Sequence, residues 1–136
     1  MRKIKLNQVV KGSYVVLMVA IILGFVVSCK KDDDDVSETE THKIIFKAEG
    51  SAGTNISGAV YGIDGNPITV TGLSGTTWSS PELSTEGVVY NVNMVVNAVG
   101  ADASSTLKVQ IWVDGQLKKE SVSSGLNLSA TTSYTF

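Results

Sequence analysis

Two neighbouring stretches of the chain alternate between apolar and polar side chains, and this pattern limits the fold more than any other sequence feature. Residues 87–99 carry an apolar side chain at every second position, and residues 107–113 repeat the pattern before Asp114-Gly115. A period of two is typical of a half-buried β-strand, and Asp-Gly after such a strand favours a hairpin. The sequence therefore predicts antiparallel β-structure here. The predicted core face of the first stretch consists of Val88, Tyr90, Val92, Met94, Val96 and Ala98.

The rest of residues 42–136 follows the same rules and indicates an all-β domain. Turn signals recur every eight to twelve residues, and no stretch has the 3.6-residue period of an amphipathic helix. The spacing predicts seven or eight antiparallel strands in an immunoglobulin-like β-sandwich, with a small barrel as the alternative. The predicted strands lie near residues 43–49, 56–63, 68–73, 77–79, 87–99, 107–113, 116–123 and 131–136.

The first 28 residues have the two parts of an export signal. Four of the eleven basic residues lie within residues 2–11, and residues 14–28 form a run of fifteen without charge. A basic segment followed by an apolar one of this length is typical of a secretory signal peptide, whereas a membrane span needs about 20 apolar residues. We expect Met1–Ser28 to be removed. A retained signal anchor is the alternative.

The junction after this run carries a more specific motif. Val26-Val27-Ser28-Cys29 resembles the lipobox of bacterial lipoproteins, with Ser28 as the small residue before the cut. The resemblance implies that Cys29 receives a diacylglyceryl group, becomes the new N-terminus and is usually N-acylated. Two or more acyl chains hold a protein stably on a membrane, whereas one gives only marginal binding. Cys29 is also the single cysteine, so the chain forms no internal disulfide.

Residues 30–41 (KKDDDDVSETET) follow the cysteine and contain one large apolar residue, Val36. Such a segment buries too little apolar surface to fold, so we predict a disordered tether. It would span roughly 20 Å as a flexible coil and about 40 Å when extended. Its Lys-then-acid start resembles the surface-export signal of Bacteroidota lipoproteins. The resemblance implies a lipid-anchored protein on the cell surface of the outer membrane, with the periplasmic face as the alternative.

The charge balance of the processed chain excludes one class of partner. From residue 29 onward seven basic residues face thirteen acidic ones, a formal charge of −6. Proteins that bind nucleic acid rely on clustered lysine and arginine against the phosphates. We therefore predict no nucleic-acid partner.

Several segments of the domain occur in the order found in the MmpS family, the small mycobacterial membrane proteins. They are His42–Gly50, Ala59–Tyr61, Trp78, Val109–Gly115 and Gly125. The resemblance implies an immunoglobulin-like sandwich outside the cytoplasm and a non-enzymatic role as an accessory to large lipid and siderophore exporters. Family members often carry a cysteine pair near the last strands, and this domain has none.

No residue pattern in the domain indicates catalysis. His42 is the only histidine, and its place where tether meets domain predicts a solvated residue rather than a catalytic base or metal ligand. The acidic residues lie in turns and loops, so we also expect their side chains to be solvated. Two suitably spaced carboxylates would nevertheless suffice for glycoside hydrolysis. We predict no enzyme, no cofactor and no metal site. The acids concerned are Asp64, Glu82, Glu86, Asp102 and Asp114.

One aromatic residue gives a functional hint. The alternation places Trp112 on the polar face of its strand, whereas Trp78 is predicted in the core. An exposed tryptophan beside Lys108 and Gln110 is a candidate contact for a sugar ring or a protein partner, and packing under a loop is the alternative. Two functions stay open. One is an envelope interaction module that binds protein partners, and the other is a glycan-binding surface lipoprotein.

Overall fold

The computed structural model of the chain describes residues 40–136, which form nine β-strands and no helix. The predicted signal peptide, Cys29 and all but the last two residues of the predicted tether lie outside the described residues. The all-β prediction is confirmed. The one strand beyond the eight predicted covers only residues 83 and 84, which is too short to show any alternation. The strands are β1 (Lys43–Gly50), β2 (Asn55–Ile63), β3 (Asn66–Thr71), β4 (Thr77–Ser79), β5 (Leu83–Ser84), β6 (Asn91–Val99), β7 (Thr106–Val113), β8 (Gln116–Ser124) and β9 (Asn127–Thr135).

Two antiparallel sheets pack face to face, which confirms the predicted sandwich. The five-stranded sheet has the order β4-β1-β7-β8, and β5 also pairs with β1. The four-stranded sheet has the order β3-β2-β6-β9. The longest pairing of β1 is with β7, from Ile44 opposite Val113 to Gly50 opposite Leu107. This pairing places strands far apart in sequence side by side, and it forms the surface considered below.

Alternate side chains from both sheets fill the space between them and form one core. The rings of Phe46 and Tyr61 lie 5.1 Å apart between their centroids, and Tyr61 lies 5.3 Å from Trp78. Trp78 is only partly buried but packs against the core, as predicted. The alternation therefore identifies the inward face of most strands correctly. The largest fully buried side chains are Phe46, Ile44, Ile56, Met94, Leu107, Ile111, Val92, Val96, Val109 and Val113.

The predicted strand over residues 87–99 is too long at its start, because β6 begins at Asn91. Val88 and Tyr90 are 77% and 69% exposed, whereas Val89 between them is buried. The expectation that Val88 and Tyr90 face the core is therefore wrong.

The reason lies in the path of the chain between the sheets. Residues 85–90 cross from β5 in one sheet to β6 in the other, so the alternation of β6 does not extend into them. Gly87 has a φ of 95°, which side chains with a Cβ rarely adopt, and it turns the chain at this crossing. The backbone amides of Tyr90 and Asn91 then donate to Oδ1 of Asp64, over 2.9 Å and 2.8 Å.

Both Asp-Gly pairs form tight turns, of which Asp114-Gly115 is the predicted one. Asp64 and Gly65 have φ values of 49° and 78°, and Asp114 and Gly115 have 52° and 76°. Positive φ at both central residues defines the hairpin turn whose twist matches that of the flanking strands. The first turn is limited to Asp64 and Gly65, because Asn66 and Pro67 already belong to the edge strand β3, where proline is tolerated.

Candidate functional site

The outer face of β1 and β7 brings together polar and aromatic side chains that are distant in sequence. Ile45 lies opposite Trp112, and Lys47 lies opposite Gln110. The residues that alternate with them are buried between the sheets, so these side chains point away from the core. Since the two strands pair along their length, the positions of these groups are set by backbone hydrogen bonds rather than by a loop.

Trp112 lies on this face and is half-buried. The Nζ atom of Lys47 lies 4.6 Å from the centroid of its ring, a cation–π contact. The Nε1–H of Trp112 donates to Oε1 of Gln110 over 3.1 Å, and Nε2 of Gln110 donates to Oε2 of Glu120 over 2.6 Å. We call Lys47, Gln110, Trp112 and Glu120 the tryptophan array.

Two open recesses lie beside the tryptophan array, and Lys47 lines both of them. The larger recess has a volume of about 460 Å³ and the smaller about 240 Å³. The larger one presents hydroxyl, amide, carboxylate and ammonium groups, whereas the smaller one borders Trp112 and Ile45. The residues that line the larger recess are Lys47, Ala48, Glu49, Thr77, Trp78, Ser79 and Gln110.

The three residues proposed from sequence are only partly brought together. Gln110 and Trp112 are hydrogen-bonded, whereas Nζ of Lys108 lies 3.8 Å from Oε2 of Glu49, further along the strand. Lys108 shares the outer face but does not contact Trp112 in this arrangement. Its ammonium is compensated by the neighbouring carboxylate.

Sequence reasoning missed two members of the tryptophan array, Lys47 and Glu120. Lys47 comes from β1, and nothing local in the sequence says that β1 pairs with β7. Glu120 belongs to the predicted hairpin, but a regular register from its two-residue turn would place Lys119 opposite Gln110. The register shifts between Ile111 and Trp112, and this bulge brings Glu120 there instead.

His42 is not the solvated boundary residue that its position in the sequence predicts. Its side chain is 21% exposed, and Nδ1 lies 2.8 Å from Oδ2 of Asp114. Its ring centroid lies 4.7 Å from that of Phe136. Oδ1 of Asp114 accepts the backbone N–H of Lys43 over 2.9 Å, and this bond, followed by the one to His42, lowers the pKa of Asp114. The turn carboxylate thus holds the start of the domain.

The backbone of His42 is fixed on its other side by Thr85. The amide of His42 donates to Oγ1 of Thr85 over 3.1 Å, and its carbonyl accepts the amide of Thr85 over 2.9 Å. The point at which the tether enters the domain is therefore held by two separate segments of the chain.

Three apolar side chains are exposed around this entry point, and we call them the apolar end. They are Val88, Tyr90 and Phe136, with Phe136 39% exposed. The amide of Phe136 donates to the carbonyl of Tyr90 over 3.0 Å, which places the C-terminal residue beside the crossing segment. The apolar end and the entry of the tether therefore lie at the same end of the sandwich.

The aspartates of the turns accept backbone amides, whereas Glu82 pairs with a lysine side chain. Oδ1 of Asp102 accepts both the amide and the hydroxyl of Ser104, at 2.8 Å and 2.6 Å, and the hydroxyl bond is the main cause of the lowered pKa of Asp102. Glu82 lies with Oε1 3.4 Å from Nζ of Lys43. Within residues 40–136, no three histidine, cysteine or acidic side chains are grouped so that they would hold a metal ion.

The tryptophan array offers an aromatic ring, an ammonium, an amide and a carboxylate on one sheet face, groups that are able to stack and to form hydrogen bonds. In the described part of the chain, no helix has the length and hydropathy needed to cross a membrane. No known family model and no curated protein matches this chain.

Proposed function

We propose that the mature protein is a non-enzymatic interaction module, anchored by lipid on Cys29 to the outer membrane and exposed at the cell surface. The lipobox and the acidic tether support the anchor and its address. The observation that carries the interaction role is the tryptophan array, which stands on an open sheet face between two recesses. The resemblance to the MmpS family supports an accessory role toward other envelope proteins.

The tryptophan array suits a protein partner because its side chains are already held in place by their contacts with one another. Trp112 is held by Gln110 and Lys47, so little side-chain entropy is lost when a partner covers it. Tryptophan dominates the energy of many protein interfaces when polar neighbours surround it and exclude water. Gln110 and Glu120, which are hydrogen-bonded to each other, would be the polar neighbours on one side of the ring.

A second candidate function is glycan binding, and the larger recess favours it. Its lining includes the hydroxyls of Thr77 and Ser79 and the carboxylate of Glu49, groups that hydrogen-bond to sugar hydroxyls. Trp112 lines the smaller recess, and a sugar that extends there from the larger one would stack on its ring after the ammonium of Lys47, which lines both recesses, moves aside. In this alternative the same face binds a carbohydrate instead of a protein.

Site-specific crosslinking in cells tests the interaction role. A photoreactive amino acid at Lys108, on the same outer face of β7 but outside the tryptophan array, should capture one defined protein neighbour, and Trp112→Ala should abolish the product. The matched control carries the photoreactive group at Asn97, an exposed position of the four-stranded sheet. Equal products from both positions, or none from Lys108, would contradict a protein partner at this face.

Intrinsic fluorescence separates the glycan alternative from the protein partner. Titration of the protein with a panel of glycans should change the emission of Trp112 if a sugar stacks on it. Trp112→Phe reports how much of any change comes from the other tryptophan, Trp78. No change with any sugar would remove the glycan function.

A further inference from the structure

We propose that the apolar end of the sandwich rests on an uncharged or zwitterionic lipid surface, so that the domain stands upright on the membrane with its tryptophan array facing sideways. This inference rests on the lipid anchor at Cys29 proposed above. It adds an orientation and a second, direct membrane contact, made by Val88, Tyr90 and Phe136.

The first step is the position of the apolar end. Val88 and Tyr90 are more than two-thirds exposed, although both belong to a segment that also buries Val89. Phe136 joins them through its backbone bond to Tyr90 and its ring contact with His42. Exposed apolar side chains that are neighbours mark a contact surface more often than single ones do.

The second step is the direction of the tether. Twelve residues separate Cys29 from His42, and they reach at most about 40 Å when fully extended. His42 is fixed by Asp114 and Thr85, so the tether always leaves from beside the apolar end. A lipid on Cys29 therefore keeps this end near the bilayer at a high effective concentration, where even a weak apolar contact is populated.

The opposite end of the sandwich also exposes two apolar residues, Val99 and Leu126, joined through the amide of Gly100. They lie at the far end of β6, whose nine-residue length corresponds to about 30 Å. The apolar end is closer to the point where the tether leaves the domain, so we expect it, rather than Val99 and Leu126, to contact the membrane. The test below distinguishes the two.

The third step is the charge around the contact. Asp64, Asp114 and Glu86 lie on the segments that form this end, with Lys43 and Lys118 near Asp114, and the tether adds Asp32–Asp35 after Lys30 and Lys31, so that acids outnumber bases. An anionic bilayer would repel these carboxylates, whereas a zwitterionic surface would not. Tyrosine is common at the level of lipid headgroups because its ring is apolar and its hydroxyl is polar. The apolar end thus fits a surface without net negative charge.

The test uses the mature, lipidated full chain on phosphatidylcholine vesicles. Because the only native cysteine carries the lipid, a cysteine introduced by Glu86→Cys is the single free thiol for an environment-sensitive dye. Glu86 is exposed and adjoins the apolar end without belonging to it. We expect blue-shifted dye emission that spin-labelled lipids quench, and a loss of both effects when Val88 and Tyr90 are replaced by serine.

A matched probe at Ala103→Cys lies on the exposed loop after β6, at the other end of the sandwich. Its emission should stay that of an aqueous dye, and phosphatidylglycerol in the vesicles should weaken the shift at position 86. Quenching at position 103 instead, a shift at position 86 that lipid quenchers do not affect, or no shift at position 86 would overturn the proposal.

Flotation of the same samples separates this inference from the anchor. Protein that floats with the vesicles while the dye at position 86 stays aqueous would overturn the membrane contact alone. Protein that does not float would overturn both the anchor and the contact. Serine at positions 88 and 90 changes two exposed side chains, and circular dichroism confirms that the variant is folded.

Discussion

The Nδ1 atom of His42 lies 2.8 Å from Oδ2 of Asp114, 72 residues further along the chain. The same carboxylate accepts the backbone N–H of Lys43, so one turn residue holds the first two residues of the domain. Because Asp114 also takes the positive φ that its hairpin needs, it combines a local and a long-range role. The start of β1 is thereby joined to the turn between β7 and β8.

Replacement of Asp114 by asparagine should lower the melting temperature at neutral pH. Asparagine tolerates the positive φ but lacks the negative charge that favours both hydrogen bonds. Thermal unfolding followed by circular dichroism measures the effect. Glu86→Gln, at an exposed position, is the control and should leave the melting temperature unchanged.

The difference between wild type and Asp114→Asn should depend on pH. The pKa of Asp114 lies below its ordinary value of 3.8 in the folded chain, mainly because of the bond from the amide of Lys43. Its contribution to stability is therefore complete above that ordinary value and is lost as the pH falls through the lower, folded-state pKa. The two melting temperatures should converge in that acidic range. A gap that stays constant down to the lowest pH at which the protein folds would contradict this role of the carboxylate.

Truncation of Phe46 should destabilise the sandwich strongly. Its side chain is fully buried and contacts Tyr61, so Phe46→Ala leaves a cavity and is expected to cost about 3–5 kcal/mol in the free energy of unfolding. Urea denaturation measures this value. Val122→Ala on the exposed face of β8 should stay within about 0.5 kcal/mol of wild type. Similar effects of the two variants would argue against the described core.

Gly62→Ala should destabilise the hairpin of β2 and β3. A Cβ at this position would collide with the backbone carbonyl of Asn66, which the strand pairing cannot easily move. Overpacking of this kind costs about 1–3 kcal/mol. Gly58→Ala is the matched comparison in the same strand, because its Cβ would lie 3.2 Å from the carbonyl oxygen of Val70. Denaturant unfolding should rank Gly62→Ala as the more harmful change.

The cation–π contact in the tryptophan array should be measurable. A double-mutant cycle with Lys47→Met and Trp112→Leu is expected to give a coupling of about 0.5–1 kcal/mol, the range for partly exposed pairs. The readout is the free energy of unfolding of the four proteins. Additive effects within experimental error would mean that the ammonium and the ring do not stabilise each other.

The proposed lipid anchor leads to a direct biochemical prediction. Cys29→Ala should abolish incorporation of labelled palmitate and leave the signal peptide uncut by the lipoprotein route, because the thiol is the acceptor of the first acylated group. Ser37→Ala in the tether should not change incorporation. Label that persists without Cys29 would contradict the anchor, and a domain that survives protease treatment of intact cells would contradict surface display.

The sequence predicts the core well where a strand keeps its alternation from end to end. Ile44, Phe46 and Ala48 face inward as expected, and Asp114-Gly115 forms the expected turn. The prediction fails at Val88 and Tyr90, because a chain that changes sheets resets which side chain faces the core. Apolar identity alone does not mark that crossing.

The candidate site is predictable only in part, for a different physical reason. Gln110 and Trp112 lie two positions apart in one strand, so local alternation puts them on one face. Lys47 reaches Trp112 through a pairing between β1 and β7, which is set by packing of the whole sandwich. Non-local pairing of this kind leaves no local pattern that a reader of the sequence could use.

The shifted register between β7 and β8 decides the sign of the charge next to Trp112. Without it, the ammonium of Lys119 would stand across from Gln110, on the same face as the ammonium of Lys47, and the two cations would repel each other. One additional residue in β8 moves a carboxylate into that position instead. The same sequence paired in a regular register would therefore present two cations on this face, so the bulge, with the fold of the sheet otherwise the same, is what makes it a surface of mixed charge.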